Sequence, residues 1–456
     1  MQSQKNENKN VIIVGAGLVG SLLAILLAKR GWNVNVFEKR PDLRKQQVDG
    51  NRSINLVIAH RGWKALQLAG IDKEIRPITV PVYGRMIHDT EGNTKFLPYS
   101  IDHQAIYSVS RSGLNAKLMD LAEQLPNVRF HFQHRCESVD FEENTVTFYD
   151  NENNTYITQK GSLIIGADGA NSAVRNSMMT GKRFNYSQEF IEHGYKEIVF
   201  PNGEDGTYVF DPSALHIWPR KNFMLMCLAN PDGTFTGTLF MHYEGPDSFE
   251  SITDKNSLFG FFEKNFKDTL PFIPDLENEY FNHPTSHLMI VKCYPWVFGK
   301  TALIGDAAHA IVPFYGEGMN CGFEDAYVLC RLIDENPHKD IQDILKEYQK
   351  TRKPSADAIA ELSMRNFIEM RDKVADPVFE LQKKIEAKLQ SKYPETWIPL
   401  YAQVKFTDIP YEKALATGIM QDKIMEEIMK LPNIQQKWDD DEVLQMAIKK
   451  LYEYNQ

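Results

Sequence analysis

Three short runs in this chain carry residue types that could do chemistry. The first is Gly15-Ala16-Gly17-Leu18-Val19-Gly20, a G-x-G-x-x-G spacing, with Glu38 eighteen residues beyond its last glycine. The second is Asp168-Gly169, and the third is Gly305-Asp306, followed shortly by Gly316-Glu317-Gly318-Met319-Asn320. The first run is a phosphate cradle. Gly15 permits a tight turn, Gly17 lets a pyrophosphate approach the backbone, and Gly20 lets a helix pack closely on a strand. The helix N-terminus offers free N–H groups and positive dipole, and Glu38 can accept hydrogen bonds from a ribose diol.

Those roles require particular elements. Residues 11–14 are β-branched, as suits a buried parallel strand; residues 21–30 are rich in Leu and Ala, and Gly31 stops the helix. Residues 33–38 read as a second strand that ends in the acid. The same stretch, 11–28, carries no charge, and by hydropathy alone it resembles a signal peptide or a short membrane span. That alternative lacks a small-residue cleavage site and puts three glycines into an apolar helix core, so strand, turn and helix are expected. Residues 163–175 and 301–320 each read as a buried strand, an Asp-bearing turn and a helix start. Taken singly, each is equally well an ordinary unit with Asp as a cap.

Composition bounds the rest. A chain of 456 residues with 43% hydrophobic and 25% charged residues is globular, of two to three units, and large enough to bury a core without metals or bridges. A mean hydropathy of −0.40 excludes a polytopic membrane protein. A net charge of −10 argues against nonspecific nucleic-acid binding. Cys136, Cys227, Cys293, Cys321 and Cys330 are dispersed and contain no CxxC pair, as for thiols in a reducing cytoplasm. The twelve histidines show no metal-ligand spacing, so no metal site is expected.

The three runs, in this order, resemble the FAD-dependent aromatic hydroxylases, the group A flavoprotein monooxygenases. The resemblance implies an α/β fold: a Rossmann-like FAD-binding domain interleaved with an antiparallel β-sheet substrate domain, plus C-terminal helices. It implies that Gly15, Gly17, Gly20 and Glu38 hold the ADP half of FAD. Asp306 would contact the ribityl–pyrophosphate region, and Met319 and Asn320 would lie against the flavin ring at a helix N-terminus. Arg111 would reach the cofactor, and Asp168 would serve both FAD and NADPH. Val19, Phe37, Lys39, Arg40, Val57, Cys136 and Ala173 complete the implied cofactor contacts. No second fingerprint exists, which agrees with NADPH binding transiently as a co-substrate.

Further runs are similar to the branch of that family that hydroxylates L-kynurenine. They are Arg52 to Leu56, Gly84 to His88, Leu97-Pro98-Tyr99, Ile311 to Phe314, Asn366 to Arg371 and Trp397 to Tyr401. Kynurenine is an amino acid on an aminophenyl ketone, so its site needs a carboxylate clamp and an aromatic slot. Residues 82–88 and 95–99 flank a turn signal, and a turn centred on Gly92 puts Arg85 opposite Tyr99 on one sheet face. A guanidinium fork beside a phenol is a good carboxylate receptor, whereas the plain alternative is a cross-strand packing pair. By resemblance the receptor reading holds, Phe240, Pro313 and Phe314 line the ring slot, and Asn366 and Tyr401 contact the amino-acid end. Glu317 joins the substrate contacts, but it stands where the family has Gln, and a carboxylate there must be protonated or paired. Asn51 stands where relatives often have Gly.

The resemblance implies that NADPH reduces the flavin and that one atom of O2 is placed ortho to the aniline nitrogen. Because that nitrogen activates the ring, no residue is expected to act as a catalytic acid, base or nucleophile. His309 is expected to be a structural residue. The FAD domain is expected to take 1–75, 105–178 and 290–365, the sheet domain 76–104 and 179–289, and helices 366–456. Helices are expected over 356–374 and 412–431. The tail carries no apolar anchor, so a cytoplasmic monomer or homodimer is expected. Rival readings are a hydroxylase for another aromatic acid, a non-catalytic flavin-binding regulator and a plain NAD dehydrogenase.

Overall fold

The computed structural model describes residues 9–45, 54–100, 102–180, 183–370 and 376–454. Asn51, Arg52, Ser53 and Arg371 lie outside them. The chain divides into two units. The first holds Met1–Thr79, Ser108–Ile191 and Leu288–Ala360; the second holds Val80–Tyr107, Glu192–His287 and Glu361–Gln456.

The first unit is built on the expected strand, turn and helix. Asn10–Val14 is central in a six-stranded sheet, parallel to Leu163–Gly166 on one side and to Asn33–Phe37 on the other. Val128–His131 and Thr301–Leu303 extend it in parallel, and Val297–Phe298 closes one edge antiparallel. Strands buried on both faces need continuous apolar runs, and Val11, Ile12, Ile13, Leu163, Ile164 and Ile165 are all buried. The uncharged run ends as the helix Leu18–Ala28, buried from Gly20 onward. Beside this sheet, His134–Asp140, Thr145–Asp150 and Thr155–Lys160 form a three-stranded antiparallel ribbon.

The second unit is a largely antiparallel sheet with helices. The strand Asn185–Phe200, from Glu192 onward in this unit, is followed by Phe235–His242, Phe223–Ala229 and Ala214–Arg220, then Gly84–His88 and the edge strand Thr94–Pro98. One face carries a core of Phe200, Trp218, Leu225, Phe235, Leu239, Phe262 and Phe266. The C-terminal helices Pro377–Lys392, Tyr411–Ile428 and Asp441–Tyr454 share their own core around Trp397, Ile424, Met425 and Leu444. Among the described residues, no helix is long and apolar enough to cross a membrane.

Candidate active site

In the first unit the glycines do three different jobs. Gly15 has φ +104, and a Cβ on it would meet the Ala167 carbonyl oxygen at 2.4 Å. A Cβ on Gly20 would meet the Gly15 carbonyl oxygen at 2.1 Å. These two glycines are required by the protein itself. Gly17 is exposed, and a Cβ on it would meet nothing within 4 Å. Its backbone therefore borders open space, directly before a helix whose N-terminus has no side-chain cap. This is where a diphosphate needs to come close, so the cradle fits the pyrophosphate of FAD.

Around that loop the chain converges. The Glu38 carboxylate accepts from the Ala16 N–H (2.9 Å) and from the Arg40 N–H (3.0 Å), which fixes it at the mouth of the loop. Lys39 and Arg40 are exposed beside it. Phe37 is buried in a three-ring stack, 4.4 Å from His131 and 4.1 Å from Phe148 between ring centres. Val19 packs on Gly305 and Gly322, where a Cβ would meet its methyl at 3.1 Å and 2.6 Å. Arg111 is exposed at the first turn of Arg111–Glu123, and one turn on, Asn115 donates to the Ala16 carbonyl (3.1 Å). That last contact was not anticipated; only its spacing from Arg111 on one helix could have signalled it.

Asp168 accepts from the Ser172 hydroxyl (2.6 Å) and from the N–H groups of Ala173 (2.6 Å) and Val174 (3.2 Å). Its carboxylate thus caps the helix Ala173–Met179, the plain alternative for this residue. Burial raises its pKa, and these hydrogen bonds work against that rise. Cys136 is buried nearby, with its thiol pushed up by desolvation and then by the Asp168 charge. Arg175, which the sequence reading passed over, is buried and ties two runs together: it donates to the Ala170 carbonyl (2.5 Å) and to the Ala307 carbonyl (2.9 Å).

Gly305, at φ +59, makes the turn that leaves Asp306 exposed as the first residue of a short helix, Asp306–His309. Pro313 begins a turn of 3-10 helix with Phe314 and Tyr315 buried, and Glu317, also buried, is the N-cap of Gly318–Glu335 without making a side-chain cap bond. Met319, also buried, is in the first turn of that helix. The Asn320 side chain turns away from that end: it donates to the carbonyls of Val57 (2.8 Å) and Gly316 (2.9 Å) and accepts from the Ala59 N–H (2.9 Å). Its amide is thus committed to backbone groups, and the residue is fully buried.

In the second unit the structure corrects the hairpin register. Arg85 pairs with Leu97, not with Tyr99, and the turn centres on Glu91 rather than Gly92. The reason is Asp89, whose carboxylate accepts from the Glu91 and Asn93 N–H groups (both 2.8 Å) and from the Asn93 amide (2.8 Å). Gly92 takes the left-handed position at φ +86. Tyr99 is then the diagonal neighbour of Arg85, on the same face. The Arg85 guanidinium carbon lies 5.8 Å from the Tyr99 ring centre and 5.1 Å from that of Tyr401, and the two rings stack at 4.8 Å.

Arg85 Nε and the Tyr99 hydroxyl are buried without a well-formed hydrogen bond. Burial raises the Tyr99 pKa against the pull of Arg85, so the phenol stays protonated and able to donate. Burial works against the Arg85 charge, and the Glu369 carboxylate supports it through space. Tyr401 comes from the helix Leu400–Phe406, which follows Pro399 and is tied down where Gln403 and Gln421 both donate to the Ile398 carbonyl (2.7 and 3.0 Å). Asn366 is buried on Ile341–Ile368, and Phe240 is buried in mid-strand. The structure therefore brings Arg85, Tyr99 and Tyr401 together in this unit; Pro313, Phe314 and Glu317 belong to the other.

Both the fold and the two clusters define a class. The chain belongs to the FAD-binding aromatic hydroxylases: the family described as FAD binding domain matches residues 8–363. A solved structure of p-nitrophenol 4-monooxygenase PnpA from Pseudomonas putida shares the fold, with a TM-score of 0.68 at 17% identity over 88% of this chain and 98% of that one. Within the class, the chain belongs to the kynurenine 3-monooxygenase family. It is 49% identical to kynurenine 3-monooxygenase of Flavobacterium johnsoniae, over 95% of this chain and 96% of the relative. It is 48% identical to that of Christiangramia forsetii, over 97% and 98%.

Proposed function

We propose that this protein is a flavoprotein monooxygenase that converts L-kynurenine to 3-hydroxy-L-kynurenine with NADPH and O2. One observation carries the substrate assignment: a guanidinium beside a protonated phenol, with Arg85 Nε and the Tyr99 hydroxyl buried and without a well-formed hydrogen bond, stacked with a second phenol. An unmet buried donor is costly, so such a pair is matched to an incoming acceptor with two oxygens, a carboxylate. Arg85 and Tyr99 receive the carboxylate of the amino acid. Tyr401 and Asn366 bound its amino-acid end, and Phe240 lines the ring slot.

FAD, when bound, supplies the redox and oxygen-activating chemistry. Gly17, in the turn that Gly15 and Gly20 allow, would admit its pyrophosphate, Glu38 would meet a ribose, Asp306 would reach the ribityl side, and the helix start at Met319 and Asn320 would meet the ring. The aniline nitrogen activates the substrate ring, so the protein's work is to position the reactants and to exclude water. NADPH acts as a transient reductant, and the chain works in the cytoplasm as a monomer or homodimer.

The test is direct. Yellow purified protein is mixed with NADPH and kynurenine, and mass spectrometry follows the mass gain of one oxygen atom. Faster NADPH oxidation with salicylate than with kynurenine would replace this reading by another aromatic-acid hydroxylase. Tight FAD with no aromatic-stimulated NADPH oxidation would leave a flavin-binding regulator.

A further inference from the structure

Two turns into Gly318–Glu335, Asp325 is fully buried and carries three partners on two oxygens. Oδ2 accepts from the Gly305 N–H (3.1 Å) and faces His309 Nε2 (2.5 Å); Oδ1 accepts from Arg352 Nε (2.7 Å). Arg352 reaches further: Nη1 lies 2.7 Å from Glu324 Oε2, and Nη2 donates to the Cys321 carbonyl (3.3 Å). Glu324 in turn meets Arg61 Nε at 3.1 Å.

The geometry makes sense only as a buried charge network. Arg352 is permanently cationic, and a neutral Asp325 beside it would leave a guanidinium unmatched in the interior. His309, Cys321 and Asp325 also have the spacing of a metal-ligand trio. Arg352, however, already occupies Asp325 Oδ1 and lies 3.4 Å from Cys321 Sγ, so a guanidinium fills the place an ion would need.

Gly305 is the turn that presents Asp306, and His309 ends the same short helix. Asp325 itself rides on the helix whose first turn holds Met319 and Asn320, and Asn320 pins that turn to Val57 and Ala59. The two halves of the proposed flavin grip thus meet at a single carboxylate.

We propose that Asp325, held by His309 and Arg352, is a positioning residue for FAD. It sets the Gly305-Asp306 turn against the N-terminus of Gly318–Glu335 and so fixes the spacing that the cofactor must span. It touches neither substrate nor reacting atoms. Misplacing a gripping group by a fraction of an ångström is enough to lose binding and rate.

The test compares Asp325→Asn and His309→Gln with the parent protein. FAD is removed, and its return to the apoprotein is titrated by flavin fluorescence, with circular dichroism confirming the fold. Asp325→Asn is expected to weaken FAD by roughly tenfold or more and to shift the flavin absorption bands, with kcat lowered and kynurenine KM little changed at saturating FAD. His309→Gln keeps a donor toward Asp325 and is expected to fall between the two; it carries the test if Asp325→Asn does not fold. A folded Asp325→Asn, or failing that a folded His309→Gln, with parental FAD affinity and spectrum would overturn the proposal. The inference rests on the flavin reading, whose own failure would be distinct: the parent protein would then not bind FAD.

Discussion

Arg85 holds its guanidinium carbon 5.1 Å from the ring centre of Tyr401, a residue on a helix far along the chain. The contact joins a hairpin strand to the C-terminal helices of the same unit. It also explains why neither element alone makes a receptor: the strand brings the cation and one phenol, and the helix brings the second ring that limits where the cation can point.

Replacing that cation tests the clamp. Arg85→Ala should raise the kynurenine KM about 30- to 1000-fold, as expected from roughly 2–4 kcal/mol for a charged contact that loses its partner. NADPH oxidation should become uncoupled from hydroxylation, while FAD stays bound in the other unit. Arg85→Lys should recover little, because a point charge does not reproduce a planar fork. Normal coupling in Arg85→Ala, measured as product formed per NADPH consumed, would remove the assignment.

The fingerprint glycines separate fold from cofactor. Gly15→Ala forces a Cβ onto the Ala167 carbonyl at a left-handed φ, so the apoprotein itself should lose stability and yield. Gly17→Ala meets open space, so the apoprotein should melt as the parent does. Its FAD affinity should nonetheless fall, because the methyl occupies the approach of the pyrophosphate. Equal FAD binding by Gly17→Ala and the parent would move the phosphate site elsewhere.

Asn320 offers a sharper distinction between a ligand contact and a structural one. Asn320→Ala strips partners from the buried Val57 carbonyl and Ala59 N–H, at a cost of about 2–4 kcal/mol. Asn320→Asp keeps the shape but turns a donor into an acceptor against the Val57 and Gly316 carbonyls, so it should be at least as damaging. Both should lower the temperature at which FAD is released. A wild-type release profile for Asn320→Asp would show that the side chain is not committed as the structure places it.

Much of this was legible in the sequence, and the exceptions have physical causes. The phosphate loop is local: strand, glycines and helix lie within twenty residues, and each residue type has one steric reason to be there. The hairpin was legible in kind but not in register. The turn centre was read from Gly92, whereas the Asp89 side chain gathers three donors and moves it to Glu91. Asn320 was legible as a residue of the flavin loop, but not the direction of its amide, which depends on a strand from a distant part of the chain. The Asp325 network was not legible, because its partners come from two elements distant in sequence from one another, the Gly305 turn with its short helix to His309 and the helix that carries Arg352.

A second buried network governs acid stability. His216 Nε2 faces the Asp211 carbonyl (2.9 Å), so that nitrogen carries the proton, and Nδ1 is left to accept from His88 Nε2 (2.9 Å). His88 Nδ1 lies 3.3 Å from Asp268, which also accepts from the Trp218 indole (2.7 Å). A second proton on His216 would have to point at His88, and burial pushes its pKa down from 6.5 to about 4. The sign follows. Between those values the unfolded chain binds a proton that the folded imidazole refuses, so stability is full above the unfolded value and is lost as pH falls toward 4. The loss from this one group is at most roughly 3 kcal/mol. His216→Gln should lower stability at neutral pH by removing the bridge between Asp211 and His88. It should also flatten the fall in melting temperature between pH 7 and pH 4.5, because no imidazole remains there to be protonated on unfolding. Thermal melts of both proteins across that range decide the matter: parallel curves would mean that another group carries the acid sensitivity.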